Sequence, residues 1–199
     1  MKRREAIKNI GITAGLSLFS PSIISLMQSC TAPTSSWSTV YLNNSEQKIV
    51  ENLVDVFLPK TENLPAASQI NVAEFIDRYI YEVQTPERQK EIRIAFEKLS
   101  DLLNAISSSS LEKASTENYK ELIDKHMYLG HEKDPEREKD LENTQITSSE
   151  LLNEIRALSI KAYKCNEEVG KNILAYDPIP TTYYCGDLEE LTGGRSYSL

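Results

Sequence analysis

Residues 44–83 constrain this chain more than any other stretch, because two apolar faces at helical spacing flank a loop bounded by prolines. In the first face Ile49, Val50, Leu53, Val54, Phe57 and Leu58 recur at three- and four-residue intervals, which predicts an amphipathic helix. Pro59 ends it, since a proline ring disfavours helical backbone at the residue before it. Pro59-Lys60-Thr61-Glu62-Asn63-Leu64-Pro65-Ala66-Ala67 then reads as a loop, rigid at both ends. Asn71, with Glu74 three residues on, has the pattern of a capping box. It opens a second predicted helix with Val72, Phe75, Ile76, Tyr79, Ile80 and Val83 inward. Asp77, beside Arg78, falls off that stripe and reads as a solvent pair or a cap.

The rest of the chain supplies the surfaces these two helices need. Thr85-Pro86-Glu87 starts a third, with Thr as N-cap and Pro at the first helical position, and its apolar face runs Ile92, Ala95, Phe96, Leu99, Leu102, Leu103, Ile106. The serines 107–110 end it. A fourth is predicted over residues 116–128 with Tyr119, Leu122, Ile123 and Met127 inward, and the charged run 131–142 reads as a solvated loop or short surface helix. Thr147-Ser148-Ser149-Glu150 is a second capping box. It opens a fifth helix with Leu151, Leu152, Ile155, Leu158, Ala162 and Tyr163, ending near Gly170. From Leu174 the chain is rich in Pro, Tyr and Gly and reads as an extended strap. With only seven glycines and no alternating apolar pattern, the expected class is all-α: an irregular bundle of about five helices with a Pro/Tyr-rich C-terminal strap.

The first 29 residues read as an address rather than a fold. Arg3 and Arg4, followed by Ile7 and Lys8, resemble a twin-arginine export signal. The apolar stretch 10–27 is diluted by Gly, Ser, Thr and Pro and falls short of the ~20 strongly apolar residues of a membrane span. Leu26-Met27-Gln28-Ser29-Cys30 looks like a lipoprotein cleavage site, which would place a lipid anchor on Cys30 in the cell envelope or periplasm. The expected organisation is a signal segment 1–29, a polar tether 30–44, a helical domain 45–185 and a tail 186–199, with Trp37 as a packing anchor. The net charge is −8, and the signal segment contributes +3 of it, so the remainder carries −11. Such a surface argues against nucleic acid and against electrostatic docking on anionic lipid.

No catalytic, cofactor-binding or metal-ligating set is expected in this chain. His126 and His131 lack the Glu three residues earlier that di-iron bundles use. Gly193-Gly194-Arg195 is a lone pair in a tail, not a phosphate loop, and no carboxylate is read as isolated on an apolar face. With Cys30 lipidated, Cys165 and Cys185 remain as an even pair that can form a disulfide, closing a loop of about 20 residues worth roughly 3 kcal/mol, or stay as free thiols.

Two islands of sequence carry a family resemblance. Phe57-Leu58-Pro59-Lys60-Thr61, Leu64-Pro65-Ala66 and Val72-Ala73-Glu74-Phe75-Ile76-Asp77 form the first. Glu168-Val169-Gly170 and Leu174-Ala175-Tyr176-Asp177-Pro178-Ile179-Pro180, followed by Tyr183 and Cys185, form the second. Together they resemble the gluconate 2-dehydrogenase subunit 3 family, small accessory subunits of exported flavin-dependent dehydrogenases. The resemblance implies a non-catalytic chain that binds a large glucose-methanol-choline-type flavoprotein and helps export and anchor it. It implies FAD in that partner, with a cytochrome or quinone downstream, and no cofactor here. Contact is then expected at Pro59, Thr61, Pro65, Tyr176, Pro178, Pro180 and Tyr183, since Tyr and Pro bury area with few free torsions. Ala66 and Thr181 stand where the family usually has glycine. The alternative reading is a stand-alone envelope lipoprotein, a helical module for binding protein or glycan.

Overall fold

A computed structural model describes residues 37–107, 111–130, 132–140, 142, 144–177, 179 and 185–198, and the unit Trp37–Leu199 is all-α. Helix α1, Asn44–Phe57, opens on a reciprocal cap: the Asn43 side chain accepts from the Ser45 and Glu46 amides at 2.9 and 3.0 Å, and Glu46 accepts from the Asn43 amide at 2.9 Å. A 3-10 turn, Ala67–Ile70, leads into α2, Val72–Val83. Helix α3, Pro86–Ser107, begins as expected with the Arg88 amide donating to Thr85 Oγ1 at 3.3 Å. After a 3-10 turn at Leu111–Lys113 come α4, Thr116–His126, and the short surface helix α5, Pro135–Lys139. Helix α6, Ser148–Cys165, carries the expected Thr147–Glu150 capping box. Two short helices follow, α7, Glu167–Asn172, and α8, Leu188–Thr192.

Packing follows the apolar stripes. Helix α6 lies against α1, α2, α3 and α4, and α4 also packs on α1 and α3. Ile49, Val50, Leu53 and Val54 of α1, Ile92, Phe96, Leu99 and Leu103 of α3, and Leu151, Leu152 and Ile155 of α6 are buried in one core. Each such side chain contributes roughly 1.5–3 kcal/mol on leaving water. Trp37 packs against the same core. Among the described residues the sole β pairing is an isolated bridge, and no helix is long and apolar enough to cross a membrane.

Four expectations change. Asn71 does not cap α2 with its side chain: it also closes the preceding 3-10 turn, and its left-handed backbone (φ 60°, ψ 32°) is not the extended one from which a side chain reaches the first turn. The fifth predicted helix ends at Cys165 rather than near Gly170, because Asn166 is extended and its side chain accepts from the Glu168 amide at 2.9 Å, starting α7. The tail is not wholly irregular: the Asp187 side chain caps α8, and Gly193, at φ 61°, ends it. Finally, the last part of the predicted tether belongs to the domain, since Leu42 is buried and residues 40–42 are held by Asp77.

Candidate functional site

The loop of the first island meets the C-terminal end of α6, a few residues before the second island begins. Residues 59–64 are exposed, with a turn closed by the Thr61 amide donating to Leu64 O at 3.0 Å, so Pro59 and Thr61 face solvent. The loop is tied at its base. The Ala67 amide donates to Leu58 O at 3.1 Å, the Ser68 amide to Asp55 Oδ1 at 2.9 Å, and the Ala66 amide to Gln69 Oε1 at 2.9 Å. Ala66 needs no glycine freedom there, its φ being −67°. From α6 the Tyr163 hydroxyl donates to Pro65 O at 2.8 Å, and Asn166 Nδ2 donates to Ile70 O at 3.4 Å. Tyr163→Phe keeps the ring and removes that donor. The expected loss is about 1 kcal/mol in chemical denaturation, with faster amide exchange at Ala66 and Ala67 as the local sign.

Beside this junction a concavity of about 240 Å³ is lined by Cys165, Asn166, Gly170, Lys171, Tyr176 and Ser198 among others. Tyr176 is exposed at its edge. Pro65 is thus tied to α6 through Tyr163, while Tyr176 lines the concavity at the α6–α7 corner. The tail holds the start of the strap: the Ala175 amide donates to Ser196 O at 2.9 Å and the Ser198 amide to Ala175 O at 3.0 Å. This backbone pairing joins the tail to the start of the strap, and Cys165 and Cys185 are exposed free thiols in the structure. Pro178, Pro180, Tyr183, Arg3, Arg4 and Cys30 lie outside the described residues.

A second feature was not anticipated, and it corrects the reading of Asp77. That carboxylate is fully buried and accepts from three successive amides, Val40 at 2.7 Å, Tyr41 at 3.0 Å and Leu42 at 2.7 Å. Arg93 completes the node: Nη2 donates to Tyr41 O at 2.8 Å, the guanidinium lies 4.3 Å from the Tyr41 ring centroid, and Nη1 pairs with the buried Glu46. Gln89 Nε2 donates to the Ile80, Tyr81 and Gln84 carbonyls at 3.0–3.1 Å, closing the end of α2. The signal was in the spacing. Ala73, Ile76, Asp77 and Ile80 form the buried stripe, whereas the larger Phe75 and Tyr79 are half-buried and Val83 is exposed.

The Tyr41 hydroxyl donates to Gln89 O at 2.6 Å, and burial pushes its pKa up from 10 to about 12, with the Arg93 charge opposing and Glu46 adding. Its folded-state value exceeds its unfolded one, so its contribution to stability is complete below about pH 10 and is lost as pH rises through about 12. Urea midpoints are expected to fall over that window, and Tyr41→Phe is expected to flatten part of the fall.

Beside this node runs an open groove of about 530 Å³, lined by Val40, Tyr41, Tyr81, Pro86, Lys90 and Ile94 with Gln89 and Arg93. Among the described residues no three His, Cys, Asp or Glu side chains converge as metal ligands would.

Compared with family models, residues 44–181 match the one described as gluconate 2-dehydrogenase subunit 3. No curated protein and no solved structure matches the chain.

Proposed function

The chain belongs to the gluconate 2-dehydrogenase subunit 3 family, and on that premise we propose that it is the non-catalytic small subunit of an exported dehydrogenase complex. It binds a large FAD-dependent, glucose-methanol-choline-type subunit that oxidises a sugar or polyol and passes electrons to a cytochrome or quinone. The observation that carries this reading is the junction at the end of α6, where Tyr163 and Asn166 tie down Pro65 and Ile70 at the base of the exposed loop 59–64, and Asn166 also lines the concavity that Tyr176 edges. Pro59, Thr61 and Pro65 belong to the first island and Tyr176 to the second, and surfaces already held in place dock on a partner at low entropic cost.

Export and anchoring follow from the leader. The twin-arginine route carries folded proteins, and a signal with Arg3 and Arg4 on a chain expected to hold no cofactor suits the escort of a flavoprotein loaded with FAD inside the cell. Lipid on Cys30 then holds the complex at a membrane face. Gentle detergent extraction of the C-terminally tagged protein from its native membrane tests the proposal. A flavin absorbance spectrum and a co-eluting chain of large-subunit size are the expected result. A colourless lone chain would overturn it in favour of a stand-alone envelope lipoprotein.

A further inference from the structure

The groove at the α2–α3 junction takes no part in the proposed subunit contact, and its surface is unusual for one exposed to water. Val40, Tyr81 and Ile94 are 47%, 51% and 38% exposed and lie along one concavity with Tyr41 and Pro86, while Lys90 is exposed at its edge. Apolar side chains gathered in one concavity and rimmed by polar groups are the kind of surface that interaction sites use. We propose that this face rests on the phospholipid surface that carries the Cys30 anchor, with Tyr81, Val40 and Ile94 at the boundary between headgroups and acyl chains. The inference rests on lipidation of Cys30, as read above.

Chain length selects the occupant. Trp37 is seven residues from Cys30, so an extended chain separates them by at most about 25 Å. Val40 and Tyr41, which line the groove, follow three and four residues later and are fixed to the bundle through Asp77. An anchored domain therefore keeps this groove within about 36 Å of the lipid. A short tether gives an effective concentration in the millimolar range, so even a face with millimolar affinity is substantially occupied. The side chains suit that depth: tyrosine has an apolar ring with a polar tip, and lysine buries its stem while its ammonium reaches the headgroups. The charge of −11 left after removal of the signal segment opposes attraction to anionic lipid, so apolar contact must hold the face down. The exposed loop 59–64 and Tyr176, built on other residues, stay available to a partner subunit.

The test uses the full-length protein purified with its native N-terminus and reconstituted in vesicles of phosphatidylethanolamine and phosphatidylglycerol. The photo-crosslinker p-benzoylphenylalanine replaces Tyr81 in one preparation and Tyr176 in another, and adducts are identified by mass. A lipid adduct at position 81 that persists in high salt, with none at 176, is the expected result. Ile94→Glu should reduce the adduct at 81 severalfold. No lipid adduct at 81, equal adducts at both positions, or a cross-link to a second copy of the chain would overturn the proposal. The mass of the N-terminal peptide separates the two readings. A lipid-modified Cys30 with no adduct at 81 removes only the membrane face, whereas an unmodified Cys30 removes the anchor and this inference together.

Discussion

Asp77→Ala is expected to cost about 4 kcal/mol of folding stability, measured as the shift in urea unfolding free energy followed by circular dichroism. Three backbone amides lose a charged acceptor, and hydrogen bonds to charged groups are worth roughly 1.5–3 kcal/mol each. The sum is not fully realised, because Val40 is exposed and water can reach its amide in the variant. Leu42 has no such relief, being buried. The change also leaves a void between α2 and the incoming chain, which adds a cavity cost. Asp77→Asn preserves the shape but replaces one carboxylate oxygen with a donor, and should cost about half as much. Limited proteolysis supplies a local readout: cleavage within residues 37–42 should accelerate in Asp77→Ala while the helical signal persists. A variant within about 1 kcal/mol of wild type would show that Asp77 does not hold the entering chain.

Asp77 also marks where sequence reasoning reached its limit. The helices were legible because their information is local: apolar spacing sets the buried stripes of α1, α3 and α6, and Thr85 with Pro86 starts α3 as Thr147 with Glu150 starts α6. Family membership was legible in two islands of residues whose match spans 44–181. The orientation of α2 was harder to read. Phe75, Tyr79 and Val83 are large and apolar and pull a spacing argument toward their side of the helix, yet Ala73 and Asp77 face the core. Burying a carboxylate is favourable here only because three amides from residues 40–42 converge on it, a tertiary fact that no local pattern carries. The same holds for Pro65. Its sequence suggests a rigid loop, but its tie to Tyr163 spans 98 residues. Asn71 erred in the opposite direction: its local cap pattern was sound, and the preceding 3-10 turn took its backbone for another purpose.

Arg93→Ala is expected to cost about 2 kcal/mol, and its coupling to Asp77→Ala is the more informative quantity. Removing one member of a buried ion pair costs roughly 3–5 kcal/mol when the remaining charge is stranded. Glu46 is buried, but Arg93 is one-third exposed, so water partly replaces the guanidinium and the loss falls below that range. Glu46 also keeps the amide of Asn43. Arg93 and Asp77 act on one peptide segment from two sides: Asp77 accepts from the Tyr41 amide while Arg93 donates to the Tyr41 carbonyl and covers its ring. Once either is gone, residues 40–42 are loosened and the other has less to hold. A double-mutant cycle should therefore give a combined loss smaller than the sum of the singles by about 1 kcal/mol. Strict additivity would mean that the two side chains stabilise the bundle separately and that the entering chain is not clamped as a unit. A coupled clamp, by contrast, fixes residues 40–42 on one side of the bundle, because Val40 and Tyr41 are at once its cargo and the wall of the groove.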